Sequence, residues 1–342
     1  MAQSYSGREW KALLGVQNTT KAIGDDTGDA GTVTGSKCDF RVASPVNDFA
    51  WDAGYQRAEI ERAGRRTFMA EDIINHYGSG IWTWDFDYPV DNEIGIQNLL
   101  QLIYPPNGAA TTALTIPAAP AVQDYSHGST SGNAKTAVII LSNPLTSKDH
   151  YMHSAVLQNL TLSMDTATNG GLLNASGQFM SGYKPIIEAN TVAADTSAAD
   201  FVAANRGTMF DITTHTFGGS AVTIKSFSLT IENPATKMGY QGAAGEADGY
   251  TRGSALKVTG TMSLKADSTV QGLMESLWQT NTTGAIVMEN AAAASGFSFN
   301  LPAVNISGFS MDMADEGIFA EVSFTATSGA DGSGNLAVIK CT

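Results

Sequence analysis

From Ile81 to Pro89 the sequence alternates without a break, with Trp82, Trp84, Phe86 and Tyr88 on one side and Thr83, Asp85 and Asp87 on the other. The stretch from Ala255 to Leu264 does the same, setting Leu256, Val258, Met262 and Leu264 against Lys257, Thr259, Thr261 and Ser263. A period of two predicts a strand with one buried face. After each strand the period lengthens. Ile96, Leu99, Leu100 and Ile103, and again Val270, Leu273, Met274 and Leu277, fall at i, i+3, i+4 and i+7. That spacing predicts two helices with a single apolar stripe, opened by the N-cap residues Asp91 and Asp267. Helices this short are marginal alone, so each stripe must dock on a sheet.

The pattern is written twice. Ala137–Gly182 lies over Gly284–Gly329 without a gap, sharing Ser-Met-Asp (Ser163–Asp165, Ser310–Asp312) and a turn glycine (Gly170, Gly317). Strand, turn, strand predicts a hairpin in both. In the hairpins Leu173, Ala175, Gly177 and Phe179 alternate with Asn174, Ser176 and Gln178, while Ala320, Val322 and Phe324 alternate with Glu321, Ser323 and Thr325. The phrases GYQRAEIERAG and GYQGAAGEADG also agree, at Gly54 and Gly239, Tyr55 and Tyr240, Gln56 and Gln241, Glu61 and Glu246, and Gly64 and Gly249. A catalytic motif is rarely needed twice, whereas a duplicated structural unit repeats its turns and its subunit-facing contacts. The blocks divide the chain into an N-terminal arm (1–32), a first unit (33–182), a connection (183–205), a second unit (206–330) and a C-terminal tail (331–342). The first unit carries an inserted loop, 105–135, whose Pro, Ala, Gly and Ser content reads as an exposed loop or an extended hairpin; such a loop inside a compact domain is usually functional or mobile.

Composition narrows the function. The formal charge is −14, which argues against a general nucleic-acid binder, since those present Lys and Arg to phosphates. No long apolar run suggests a membrane span, and the start of the chain lacks a signal peptide's apolar core. Cys38 and Cys341 form no CxxC and read as buried or idle thiols, with a disulfide the alternative. There is no phosphate-binding loop, and the glycine-flanked Ser-Thr-Ser at Gly128–Gly132 is not a nucleophile elbow. His150 and His153 lack a second ligand pair, and Asp25–Gly31 lacks the closing Glu of a calcium loop. Glu61 and Glu246, each near arginines, read as a repeated salt bridge or turn contact. The expectation is no enzyme, no metal and no cofactor.

A duplicated β unit with one polar face can close a ring through its neighbours and so leave no sheet edge exposed. The residues expected at the lumen of such a ring are Asp85, Asp87, Asn174, Ser176, Gln178, Thr261, Ser263, Glu321, Ser323 and Thr325. Facing bulk water is the other reading of the same faces, and periodicity does not choose between them.

The order of strand, Asp-capped helix, apolar strand and Ser-Met-Asp hairpin resembles the major tail tube proteins of long-tailed bacteriophages. So does the passage from Phe227 to Leu264, with its Asn, Glu and Tyr-x-Arg-Gly (Tyr250–Gly253) ahead of a strand. The resemblance covers about 35–329. It implies a mainly β fold of two tandem tail-tube β-sandwich domains, each with one flanking helix, joined into a ring-shaped barrel by oligomerisation. Three tandem chains would build the ring that six single units build elsewhere, a pseudo-hexamer. Stacked rings would make the tube through which the genome leaves the head, with the inserted loop and the arm bridging to the next ring. The implied partners are further copies of the chain, the tape measure protein, the tail terminator and baseplate or tail-tip proteins, with DNA passing transiently. The implied location is the virion tail, after synthesis in the host bacterial cytoplasm. Another β-rich virion component, such as a baseplate protein or adhesin, is the alternative.

Overall fold

Alternation in the sequence becomes strand in the structure, and the buried letters are the apolar ones. The computed structural model describes residues 11–17, 40–41, 50–52, 55–77, 81–90, 93–104, 113–117, 125–126, 135–143, 148–183, 186–189, 208–239, 247–289, 297–314, 317–328 and 334–341. The first half begins with β1 (Lys11–Gln17), β2 (Phe40–Arg41), β3 (Ala50–Asp52), β4 (Tyr55–Glu59), β5 (Ile73–Tyr77) and β6 (Ile81–Pro89). Helix α1 (Glu93–Ile103) leads to β7 (Ala113–Pro117), β8 (Tyr125–Ser126), β9 (Thr136–Asn143), β10 (Lys148–Asp165), β11 (Asn174–Ser181) and β12 (Ile186–Ala189). The second half opens with β13 (Thr214–Phe217), β14 (Ser220–Ala221), β15 (Ile224–Glu232), β16 (Thr236–Met238), β17 (Gly249–Thr251) and β18 (Lys257–Lys265). Helix α2 runs from Ser268 to Leu273 and widens into a π turn over Met274–Trp278. It is followed by β19 (Gly284–Glu289), β20 (Phe297–Ala314), β21 (Gly317–Ala326) and β22 (Asn335–Cys341).

One antiparallel sheet crosses both halves in the order β3, β6, β11, β10, β15, β18, β21, β20. Only the C-terminal parts of the long strands β10 and β20 belong to it. The N-terminal part of β10 pairs with β12 and β9, and β9 pairs with β1. Correspondingly, the N-terminal part of β20 pairs with β22 and β19, and β19 with β13. Both strands change sheet at an irregularity. In β10 the register with β9 shifts between Met152 and Ala155, where Ser154 has φ 47°. In β20 the register with β19 shifts beside Pro302, which has no N–H to give the ladder. Bulges of this kind re-aim a strand, letting one strand serve two layers. Among the described residues the pairings do not close on themselves: β3 and β6 end the shared sheet on one side, the second half of β20 on the other.

The core lies beneath this sheet. Trp84, Phe86 and Phe179 cluster with ring centroids 5.4–6.0 Å apart, and Phe227 contacts Phe299 and Phe324 at 5.5 and 6.1 Å. Helix α1 buries Ile96, Leu99, Leu100 and Ile103, and α2 buries Val270, Leu273, Met274 and Leu277, the stripes read from the sequence. The Asp267 carboxylate accepts from the amides of Thr269 and Val270, as an N-cap should; Asp91 lies outside the described residues.

Three stretches outside the repeated blocks are partly built into sheets. Within the N-terminal arm, β1 pairs along its whole length with β9 and buries Ala12, Leu13 and Leu14, covering an edge that would otherwise be open. Within the inserted loop, β7 pairs with β22 and buries Leu114 and Ile116. The expected C-terminal tail supplies β22 itself, which joins that insertion to β20.

Candidate functional site

The shared sheet presents one largely polar face, with Ile81, Pro89 and Phe319 at its margins. Residues directly opposite one another on antiparallel strands point to the same side. A single row therefore runs Asp87, Ser176, Thr161, Thr230, Thr259, Thr325 and Asn305 across seven strands. The next row runs Asn174, Ser163, Ser228, Thr261, Ser323 and Gly308. All ten residues expected at a lumen lie on this one face. Nine are exposed or half-exposed; Ser263 shares the face by register but is buried, 2% exposed.

Side chains on the face tie neighbouring strands together. Gln178 Nε2 donates to Asp85 Oδ1 at 2.7 Å, and Asn174 Nδ2 to Asp87 Oδ1 at 2.6 Å. The hydroxyls of Thr161 and Thr230 bond at 2.9 Å. The charge is predominantly negative: Asp85, Asp87, Asp165, Glu232, Asp312 and Glu321 stand against Lys257, Lys265 and Lys225, whose ammonium lies 4.5 Å over the Phe319 ring at the margin of the face. Sequence reading named positions on β6, β11, β18 and β21 but missed the contribution of β10, β15 and β20. The signal was present in β15, where Phe227, Leu229 and Ile231 alternate with Ser228, Thr230 and Glu232.

The repeated phrases sit differently. In the first half Tyr55 and Gln56 lie on β4, Glu61 is exposed in the loop after it, and Gly64 has φ 85° in a turn. In the second half Gly239 follows β16, Gly249 opens β17, and Tyr240, Gln241 and Glu246 lie outside the described residues, as does Gly54. Hairpin β4–β5 leads into β3's partner β6, as hairpin β16–β17 leads into β15's partner β18.

The ion pairs of the first hairpin loop run to Asp72, from Arg62 and, at 3.8 Å, Arg65. The hydrogen bond from Arg62, helped by the Met69 amide, holds the Asp72 carboxyl below its ordinary pKa. A carboxylate lowered by folding stabilises above its unfolded pKa, and the benefit fades as pH falls through the folded value. Asp72→Asn should therefore speed tryptic cleavage at Arg62, Arg65 or Arg66 at neutral pH. Unchanged cleavage would show that the ion pairs do not hold the loop.

Tyr-x-Arg-Gly has a structural task. Tyr250 Oη donates to the Ser154 carbonyl at 2.7 Å and accepts from the Gly182 amide at 2.9 Å, at the bend of β10. Arg252 donates to the Leu157 carbonyl at 3.2 Å and lies 5.1 Å over the ring of Tyr125, from the inserted loop. Tyr125, Tyr183 and Tyr250 are buried in a small core beside His153. Tyr250→Phe leaves two buried backbone groups without this partner and should cost on the order of 2 kcal/mol in urea unfolding of the unassembled chain. Arg252→Lys, which keeps the charge but not the fork, should also destabilise.

Among the described residues no cluster of three His, Cys, Asp or Glu side chains could hold a metal, and no helix is long and apolar enough to cross a membrane. Fold and face together define a β-rich structural protein whose chemistry is that of an extended surface. The sequence model of a family described as phage tail tube protein matches residues 22–326, and the chain belongs to that family. It is a structural protein of the bacteriophage tail tube, located in the virion tail and self-assembling with other tail proteins. A comparison with curated proteins returns no match. Nothing found favours a baseplate component or an adhesin.

Proposed function

We propose that this chain is a tandem pair of tube units, that three copies form each ring, and that the polar face lines the lumen. The observation that carries the reading is the continuity of that face across both halves, backed by an apolar core. Duplication is supported by the pairings: β9, β10, β11 and β6 are joined as β19, β20, β21 and β18 are joined. A ring of six such units would need three chains, each with a formal charge of −14. An acidic, hydroxyl-rich wall repels phosphates and offers DNA few lasting contacts, which suits a conduit for genome ejection.

On this reading the chain is made in the host cytoplasm, polymerises around the tape measure protein, and is closed by the tail terminator and the tail-tip proteins. It acts through its surfaces and has no catalytic role. The parts of the inserted loop and arm outside β1, β7 and β8 are the candidates for contact with the next ring. Electron microscopy of purified assemblies, viewed end-on, tests the reading. Stacked rings with a central hole and threefold symmetry are expected. Sixfold symmetry would sink the tandem ring but keep the tube, and a protein that never stacks, even on tail tips, would sink both.

A further inference from the structure

We propose that the inserted segment 105–135 is a strap that ties the first half of the chain to the second half of the same chain. It keeps the β10–β15 joint shut before assembly and prevents two copies from exchanging halves. This role belongs to the unassembled chain and holds whether three or six copies form a ring.

The strap has two anchors, and both lie in the half that does not encode it. The first is β7, which pairs with β22 from Pro117 opposite Asn335 to Ala113 opposite Lys340 and buries Leu114 and Ile116. Helix α1, which the insertion follows, packs on β7 and β22 together. Beside its stripe α1 buries even the polar Asn98 and Gln101, whereas Gly272 and Glu275, at the matching positions of α2, are exposed. The second anchor is β8, which sets Tyr125 opposite Tyr250 and Ser126 opposite Gly249. Arg252 Nε donates to Tyr125 Oη at 3.2 Å, and the same guanidinium reaches the Leu157 carbonyl of β10. The Tyr125 ring is buried among Val156, Met180 and Tyr183 of the first half and Ala235, Ala247 and Tyr250 of the second. A ring held between the halves resists their separation, since opening them returns it to water.

The repeat shows that neither anchor is needed to build a unit. In the second half the helical segment passes to β19 through residues 279–283 alone. β12 holds beside β10 the place that β22 holds beside β20, and among the described residues no strand pairs with its other edge. Likewise hairpin β4–β5 is a two-stranded sheet, whereas β8 extends β16–β17 to three strands. Both added strands therefore go to the second half, across the joint. That joint is seven facing pairs, from Asn159 opposite Glu232 to Asp165 opposite Ser226. Once open, it bares the edges of β10 and β15, which can pair with the same edges of another copy. Exchange between copies is a characteristic failure of chains with repeated units. The 183–205 connection already links the halves; a second tether raises their effective concentration and favours re-closure within the chain.

The first test replaces residues 105–135 by the sequence of residues 279–283, the connection that the second half uses at the same place. In the unassembled chimera, hydrogen exchange of the amides bridging β10 and β15 should quicken at least about tenfold, while those bridging β18 and β21 keep their protection. On size exclusion the chimera should shift from monomer to dimer as its concentration rises. Unchanged exchange at the joint, or a monomer at every concentration, would overturn the proposal. The second test keeps the full chain and does not depend on whether the chimera folds. In a background with Cys38→Ser and Cys341→Ser, Thr115→Cys and Val338→Cys face each other across β7 and β22. Facing Cα atoms in an antiparallel pair are about 4.5–5.5 Å apart, within disulfide range. Oxidation should crosslink within a monomer and slow exchange at the β10–β15 joint relative to the reduced chain. A crosslink between copies, or equal exchange in both redox states, would overturn the strap. Both tests read unassembled chains, so their failure is distinct from a failure of the ring.

Discussion

Replacing Asp85, Asp87 and Glu321 together by lysine should give tubes that assemble and then hold DNA instead of letting it pass. All three side chains are exposed on the polar face of the shared sheet. The triple change gives up the bonds from Gln178 and Asn174, each worth on the order of 1 kcal/mol at such an exposed site. Assembly should survive that loss. The electrostatic change is larger in its consequences, because every substitution moves the chain by two charges and every copy in the tube carries it. Each lysine that meets a phosphate releases counterions and adds about 0.9 to the slope of log affinity against log salt. DNA should therefore be retained in variant tubes at low salt and released as salt rises, and infectivity should fall. The control places lysine at Glu71, Glu275 and Glu289, which are exposed on other surfaces. If both triple variants bind DNA alike, net charge decides and the face is not special. If neither binds, the polar face does not lie along the path of the genome.

How far the chain could be read in advance depends on where the information sits. Strands with one buried face announce themselves, because alternation is a local property: β6, β18, β11 and β21 all emerged from period two. Helix stripes did the same. The polar face was half-legible, since a list of outward residues gives no neighbour order, and only the pairing of β10 with β15 shows that two halves make one sheet. Strand pairing between Asn159 and Glu232 is nonlocal, and nothing in either segment names the other. The insertion was half-legible for a related reason. Its Pro, Ala and Gly content reads as exposed loop or extended hairpin, and nothing in those letters shows that Ala113–Pro117 pairs with β22 and buries two side chains.

Gly260→Val should all but abolish soluble, folded protein, and Gly260→Ala should cost about 1–3 kcal/mol. Gly260 lies mid-strand in β18 on the buried face, opposite Leu229 on one side and Phe324 on the other. A Cβ placed there would collide with the Phe324 ring and with the backbone carbonyl oxygen of Ser228. The ring lies over the glycine and fills the room a side chain would take. Gly177 in β11 has the same arrangement, with the Phe86 ring 2.9 Å from an added Cβ and the Asn159 carbonyl oxygen also too close. A flexible side chain could swing aside, but a strand's own carbonyl can retreat only if the ladder opens, and close packing transmits that strain. Glycine ordinarily weakens a strand, so its use here is compensated by the aromatic lid. Gly308→Ala is the control: its added methyl meets only the Ser323 side chain, at 3.5 Å, and should change unfolding of the unassembled chain little. Urea unfolding of Gly177→Ala, Gly260→Ala and Gly308→Ala decides the matter. Loss confined to the first two is expected. Equal stability in all three would mean that the rings give way easily and that the sheet tolerates what its geometry forbids. Replacing Phe324 by Leu in the Gly260→Ala background should recover part of the loss, because a smaller lid leaves room for the methyl. Contacting residues of this kind couple rather than add.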